Sequence, residues 1–532
     1  MEETNTAKVP WLILTALMLG VFVSALVSSS VIVALPKMMT VFGVNTDSIQ
    51  WVVTAYTLVS GVVVPLSGYL CDRFGAKRTL LCSLAIFTSG CLLCSMAWSN
   101  NSLIVFRILQ AIGGGLIIPV VMTVQYLIIP REKIGLAMGV FGIATMVAPA
   151  VGPTLGGLIV DALNWQWVFI VNIPVGIIAT VMVLLLLEET PRRTDIKPDI
   201  LGMVLCSVAC FTLLLALSQG QKEGWTSLYI VNLFIIAGFG SVLFVIWEMI
   251  FPEPLLNMKL LNNHILWISL IGISLITIGL SSGFFLIPIY AQNIMGYTPT
   301  QTGIMLFPQA VAMALMMPVS GFLFDKFGAR AIGVVGIIIA AYYTYQLHTL
   351  TAGISFGGME WLLVKRAIGL GLVIGPFMTV GMNTIPRHLT AQGSAFSNLF
   401  RQVASSIGIP ILVSVMTNRQ VFHAAWLADT VNYSSPATVS VIKKLAGAFN
   451  IYGIKVQPPY SSQAALSIIS GLNSKEAYIC GIQDAFIVAA ILTAIVLPLC
   501  LFLSKKAEEA ETEKQKQRFP IPADYEAGAG QD

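Results

Sequence analysis

The chain has 532 residues, of which 56% are hydrophobic and only 10% charged, with a formal net charge of +4 and a mean hydropathy of +0.85. A water-soluble domain carries about 25% charged residues, so this composition excludes a soluble globular protein and points to a chain solvated mostly by lipid. With so few charges overall, the small basic excess reads as membrane topology and not as nucleic-acid recognition.

Spanning a bilayer takes about 20 apolar residues in a helix, and runs of that kind begin near residues 12, 48, 80, 102, 136, 167, 200, 227, 264, 301, 331, 358, 392 and 481. An all-α integral membrane protein with fourteen transmembrane helices is predicted. The first run is too long for a signal-peptide core and lacks a small-residue cleavage site, so it is expected to remain as helix one. Helices two and three are joined by Gly68-Tyr-Leu-Cys-Asp72-Arg73-Phe-Gly75-Ala-Lys77-Arg78, in which glycine permits a tight turn, Asp72 can accept hydrogen bonds or face a helix N-terminus, and the basic residues anchor at headgroups. The eight cysteines lie almost entirely in apolar runs. Cys91 and Cys94 form a C-x-x-C on a lipid-embedded helix with no histidine nearby, so they are expected to be small packing residues, and no metal is predicted.

Helix four contains Arg107 and Gln110 ahead of Gly113-Gly114-Gly115. An intramembrane arginine is costly unless it faces protein, water or a partner, which makes Arg107 a functional candidate. Helix five runs Gly142 to Gly157 with Pro149, Gly152, Pro153, Gly156 and Gly157: small residues permit close helix contact and the prolines remove backbone donors and bend the helix. Trp165 and Trp167 at the start of helix six suit a membrane interface. Helices seven and eight, about residues 200 to 250, separate two sets of six.

The second set repeats the first. Gly321-Phe-Leu-Phe-Asp325-Lys326-Phe-Gly328-Ala-Arg330 echoes the junction at Gly68, and Lys365-Arg366 followed by Gly369 and Gly371 echoes helix four. A duplication of this kind suggests two homologous halves that move against each other. The expected division is 1–190 for the first six-helix bundle, 191–260 for the two inserted helices, 261–504 for the second bundle with an outer loop at 417–479, and 505–532 as a polar, charge-mixed tail expected to be disordered. Short amphipathic runs, Val421 to Val431 and Ala437 to Phe449, suggest partly helical structure in the outer loop. Short loops on one side hold most of the lysines and arginines and short loops on the other hold only Lys37 and Lys222, which places both termini in the cytoplasm of a multi-pass cell-membrane protein.

The two junctions, the proline-glycine helix, the Arg107 helix, the Trp165–Gly176 segment, Gly296-Tyr-Thr-Pro299 and Asn398-Leu-Phe-Arg401-Gln402 together resemble the major facilitator superfamily, and within it the fourteen-helix drug:proton antiporters of the EmrB/QacA type. The resemblance covers about residues 12 to 504. It implies the major facilitator fold, two pseudo-symmetric six-helix bundles plus two inserted helices, and multidrug-type efflux of amphipathic small molecules by alternating access, with protons as the coupling ion. It assigns gating to Gly68, Asp72, Arg73, Gly75, Lys77, Arg78, Asp325, Lys326 and Arg330, and coupling to Arg107, Gln110, Arg366 and Arg401. The helix with Pro149 and Pro153 is similar to those that mark antiporters. Cavity walls would come from helices one, four, nine and twelve, with Ser28, Ser29, Met122, Gln125, Phe284, Phe285, Met378 and Met382 as lining.

One departure stands out. Helix one of such antiporters carries an aspartate where this chain has Val27, in Leu26-Val27-Ser28-Ser29-Ser30, and a membrane carboxylate is a natural proton carrier. Arg107, Lys365, Arg366 and Arg401 lack obvious local partners, which suggests a cavity of positive potential suited to anionic or neutral amphiphiles. Lys365 and Arg366 also fit a snorkelling role. Two other readings stay open: uptake or facilitated transport of an anionic metabolite or lipid without proton exchange, and a non-transporting receptor or scaffold. No phosphate-cradling Gly-x-x-x-x-Gly-Lys-Ser/Thr loop occurs, so ATP is not the direct fuel; neither an enzyme nor a cofactor is expected. The outer loop could dock an extracytoplasmic adaptor.

Overall fold

The computed structural model describes residues 10–130, 133–190, 197–351, 353–430, 439–440, 444 and 460–520. Every regular element among them is helical. In the first half these are α1 (Trp11–Phe42), α2 (Thr46–Val63), α3 (Leu66–Phe74), α4 (Ala76–Ser95), α5 (Asn100–Ile128), α6 (Ile134–Ala162), α7 (Trp167–Ile170) and α8 (Asn172–Leu186). A hairpin of α9 (Ile200–Glu223) and α10 (Leu228–Ile250) follows. Then come α11 (His264–Asn293), α12 (Pro299–Gln346), α13 (Phe356–Asn383), α14 (Thr390–Thr430), α15 (Tyr460–Ala494), α16 (Val496–Phe502) and α17 (Lys505–Arg518).

Eleven helices are long and apolar enough to cross a membrane, and α2 with α3, bent by 55°, makes a twelfth. The 48-residue α12 is broken at Gly328, whose φ of 78° and ψ of 170° are not helical. An unbroken helix of that length would reach roughly 70 Å, over twice the thickness of a bilayer core. Twelve crossing segments are thus counted among the described residues against the predicted fourteen, with the two limbs of α12 outside that count. Starts are set by side-chain caps: Asn45, Ser99, Ser227, Asn263, Thr298 and Ser355 each accept a backbone N–H of the first turn, Ser99 and Thr298 in reciprocal boxes with Ser102 and Gln301. Each such cap contributes about 1 kcal/mol.

Within the first half α1 packs on α6 and α8, and α5 on α2 and α4; within the second, α12 packs on α13, and α11 on α13, α14 and α15. Between the halves, α6 runs against α12, and α14 meets α3 and α5. The hairpin sits beside one of these seams, with α9 in contact with both α2 and α14. The turns at Gly75 and Gly328 share one end of the bundle, here named the junction face.

Two expectations are corrected. The stretch 417–479 is not a separate loop at its ends: α14 continues to Thr430 and α15 already begins at Tyr460, well before the predicted start near 481. No proline or glycine interrupts residues 411–430, and Arg419 and His423 of α14 both reach the Asp484 carboxylate of α15, the imidazole Nε2 at 2.9 Å. The run Ala437 to Phe449 lies almost wholly outside the described residues. Since Arg419 and Asp484 are 43% and 24% exposed, Asp484→Asn is expected to cost no more than about 1 kcal/mol of stability while speeding proteolysis of the extension at 417–430; unchanged cleavage would mean helix packing alone holds it.

The tail is likewise not disordered up to Arg518. Ser504 caps α17 by accepting the Ala507 N–H, and the helix docks with Glu511 and Gln515 buried. Glu508 Oε1 accepts a hydrogen bond from Asn383 Nδ2 at 3.1 Å. Isolated, a 14-residue helix this polar would be marginal in water; its seat against α11, α12 and α13 supplies what propensity does not. Residues 521–532 lie outside the described residues.

Candidate gate and substrate path

The two repeated junctions close the junction face crosswise, each against a helix start of the other half. Near the end of α3, Asp72 Oδ2 accepts a hydrogen bond from Gln392 Nε2 at 3.4 Å, in the first turn of α14. A carbon added to Gly68 would lie 3.3 Å from the Gln392 Cα and 3.4 Å from the Ala391 carbonyl. The second copy does the same to α6: a carbon on Gly135 would lie 2.6 Å from Asp325 Oδ1, and one on Gly321 would lie 2.1 Å from the Gly135 carbonyl oxygen. Each acid therefore sits at the positive end of a helix dipole, worth about 0.3–1 kcal/mol at an exposed site and up to about 2 kcal/mol when partly buried. Each leading glycine is needed because backbone meets backbone there. Gly75 and Gly328, at φ 88° and 78°, turn the chain into the next helix in a conformation that side-chain-bearing residues rarely adopt.

The basic residues beside the acids do less. Arg78 pairs with Glu189 at 3.3 Å with both side chains largely in the open, a contact of little energetic weight. Lys326 stands near the Phe327 ring, 5.3 Å from its centroid, and Lys326 and Arg330 are exposed. Arg73 and Lys77 are half-buried at the turn.

Arg107 and Arg366 are buried within separate halves and do not share a cavity, which corrects the expectation of a common positive site. Arg107 donates through Nε to the Val52 carbonyl at 3.2 Å and through Nη1 to Gln110 Oε1 at 2.6 Å, and its guanidinium lies 4.1 Å from the centre of the Tyr56 ring. Gln110 in turn donates to Cys91 Sγ at 2.9 Å, which gives the C-x-x-C a structural use. Arg366 donates through Nε to Thr344 Oγ1 at 3.0 Å and through Nη2 to Ser282 Oγ at 3.1 Å and to the Gly279 carbonyl. Neither has a carboxylate partner among the described residues. Lys365 is exposed, its Nζ 5.6 Å from the centre of the Tyr343 ring, as snorkelling would have it.

Residues from both halves do converge between α5, α13 and α14. Asn398 Nδ2 donates to Met122 Sδ at 3.5 Å, Ser394 Oγ to the Pro119 carbonyl at 2.7 Å, Tyr126 OH to the Met378 carbonyl at 3.3 Å, and Arg401 Nη1 approaches Met378 Sδ at 4.0 Å. Met382 lies in the same core, close to Gly393. Gln125 is fully buried beside them, yet neither its Oε1 nor its Nε2 has a partner. A buried amide left with both ends unpaired calls for an explanation. The other expected lining residues are elsewhere. Ser28 bonds back to the Ser24 carbonyl, and Ser29 faces α6, where its Oγ approaches the Ala148 carbonyl at 3.4 Å. Phe284 packs on the main core and Phe285 on a separate cluster.

Helix α6 serves both neighbours. Gly152 and Gly156 admit Ser29 and Ser30 of α1, with Ser30 Oγ donating to the Gly152 carbonyl at 2.9 Å. Gly139 and Gly142 lie against Pro318 and Met317 of α12. Pro149 stands between these two contact sets and Pro153 within the one that meets α1, while Gly157 has only Val33 within reach, at 3.8 Å. Gln392, Tyr126, Asn383 and Asp199 escaped the sequence reading; of these only Asp199 carries a local signal, as a cap immediately before an apolar run.

A family profile described as Major Facilitator Superfamily matches residues 17–409. The chain is 35% identical over 527 residues to an uncharacterized MFS-type transporter, YhcA, of Bacillus subtilis, covering 99% of each chain. It is 32% identical over 525 residues to the multidrug transporter protein MdtP of the same organism, covering 95% of this chain and 96% of that one. Among solved structures it is similar to the human organic anion transporter MFSD10, with a TM-score of 0.60 at 12% identity over 93% of this chain and all of that one; that likeness concerns the fold alone.

Proposed function

The chain belongs to the major facilitator superfamily and is a multi-pass membrane transporter, not an enzyme; from that premise we propose that it exports amphipathic small molecules by alternating access, with protons as the coupling ion. The observation that carries the reading is the crosswise seating of Asp72 and Asp325 on the helix starts of the opposite half. Such contacts hold one end of the cleft shut and break together when the halves rock, which is what a gate requires. The lysine and arginine bias makes the junction face cytoplasmic, so the closed end is the one through which cargo would load. The multidrug name of a relative 32% identical supports an amphipathic cargo, and the unpaired Gln125 amide among methionines supplies an adaptable apolar wall with one polar anchor.

A transporter without proton exchange is the second reading, favoured by Val27, which is fully buried in helix one where an acid would otherwise sit. The outward extensions of α14 and α15 expose Val421, Phe422, Trp426 and Leu472, a surface on which an extracytoplasmic adaptor could dock; copurification tests it.

The deciding measurement is internal pH in proteoliposomes on addition of cationic, anionic and neutral amphiphiles. Substrate-driven proton movement, slowed at least several-fold in Asp72→Asn, is expected. Substrate flux with no proton movement would favour the second reading, and neither signal would leave a receptor or scaffold.

A further inference from the structure

The hairpin of α9 and α10 carries two acidic side chains at its junction-face end, and both are buried: Asp199 is 1% and Glu248 3% exposed. Asp199 Oδ1 caps α9 by accepting the Gly202 N–H at 2.8 Å and also accepts the Trp247 Nε1–H at 2.7 Å. Glu248 Oε2 accepts the Leu256 N–H at 3.0 Å. The other oxygen of each, Asp199 Oδ2 and Glu248 Oε1, has no hydrogen-bond partner. Those two oxygens face one another, since a carbon added to Gly202 would lie 2.1 Å from the first and 2.6 Å from the second. No lysine or arginine pairs with either acid among the described residues. Among the described residues the other ionisable groups nearby are the thiol of Cys206, which feels Glu248, and that of Cys210 beside it on α9. On the connection after α10, Glu253 accepts the Lys197 N–H, and α14 presents the neutral Gln392, which leads to Asp72.

Two buried carboxyl groups aimed at one another, with no cation between them among the described residues, cannot both hold a negative charge at ordinary cost; one proton shared between the facing oxygens satisfies both. We propose that Asp199 and Glu248 form a binding site for a single proton, and that its occupancy is linked through residues 251–263 to the closed junction at Asp72. The link is a short chain of contacts. Glu248 holds Leu256, the next residue Asn257 donates its N–H to Gln392 Oε1 at 3.2 Å, and Gln392 donates to Asp72 at 3.4 Å. With the proton bound, Glu248 stays beside Asp199 and keeps this connection taut. When the proton leaves, like charges drive the side chains apart, Leu256 is released and the grip on Gln392 slackens.

The site itself needs no assumption about transport; the linkage rests on the junction being the gate. Infrared difference spectroscopy of the purified protein in bilayers, titrated through neutral pH, reads the proton directly. A protonated-carboxyl band is expected in the wild-type protein and is expected to vanish in both Glu248→Gln and Asp199→Asn; a spectrum unchanged by both substitutions overturns the site. Two variants are used so that a folding failure in one leaves the other to decide. Hydrogen exchange of the segment 386–394, corrected for the intrinsic effect of pH, reads the link. Exchange is expected to rise about tenfold as the band titrates away, an ordinary size for coupling between two sites, and to stay flat in Glu248→Gln, whose amide oxygen can still hold Leu256. An equal rise in that variant overturns the linkage. Absence of substrate-driven proton movement in the wild-type protein, with the infrared band present, would instead sink the antiport reading and leave the proton site standing.

Discussion

Gly321→Ala is expected to cut transport at least tenfold while leaving the protein folded. The added carbon would lie 2.1 Å from the Gly135 carbonyl oxygen, 2.4 Å from its carbon and 2.8 Å from the Leu136 nitrogen. All three are backbone atoms of α6, so no side-chain rotation relieves the clash and the halves must separate at the junction face. Overpacking of this kind costs about 1–3 kcal/mol, which shifts a closed-to-open equilibrium roughly 5- to 150-fold, because each 1.4 kcal/mol is tenfold. The closed form loses population, so solvent accessibility at Leu136 and Gln392 should rise as transport falls. A variant that folds, transports normally and shows unchanged accessibility at the junction face would show that this contact is not part of the gate. Gly353→Ala, at an exposed glycine with nothing within 4 Å, is the control and should be silent.

Arg107→Ala is expected to be the most damaging single truncation, and for a structural reason. The side chain is fully buried, and its loss strands Gln110 Oε1, takes the second donor from the Val52 carbonyl and the partner from the Tyr56 ring face, and leaves a cavity. Unsatisfied buried acceptors cost about 1–3 kcal/mol each, and an engaged ring face adds about 2 kcal/mol where the cation is desolvated. With one acceptor stranded, a loss of roughly 3–5 kcal/mol follows from these terms, enough to deplete the folded protein in thermal unfolding. Arg107→Lys should be milder but still costly, since a single ammonium lacks the planar fork that serves two acceptors and stacks on a ring at once. Transport measured per folded molecule separates the roles: activity retained in Arg107→Lys makes the arginine a support of helix packing, whereas activity lost at normal stability makes it a coupling residue.

What the sequence made legible was local. Helix number follows from apolar runs, and the repeated Gly-x-x-x-Asp junctions mark both turns because the glycines and acids that build them lie within eleven residues of each other. Which helix each acid would meet was not legible: the partner of Asp72 is Gln392 in the opposite half, and no pattern in one half encodes the approach of the other. The same limit explains the arginines. Their lack of local carboxylates suggested a shared cavity, but carbonyls and hydroxyls on neighbouring helices, such as Gly279 and Ser282 for Arg366, absorb the charge. Helix α17 was missed because its sequence is polar on every side; Ser504 with Glu508 after it is the signature that could have placed its start. The approach of Asp199 to Glu248 across the hairpin depends on where two helix ends meet, which no local pattern encodes.

Of the two seams between the halves, one is zipped along its length by α6 and α12, and the other is roofed by α9, which bridges α2 and α14. Among the described residues both seams are therefore covered by helix. On the roofed side the hairpin encloses, with α11 and α14, an apolar recess of about 330 Å3, lined in part by Cys206, Cys210, Phe244, Phe400 and Val403. For cargo that enters from the membrane, as the proposed export implies, the inserted hairpin would act as an awning over a side door, and widening or narrowing that overhang would change which lipophilic molecules get in without touching the central cleft.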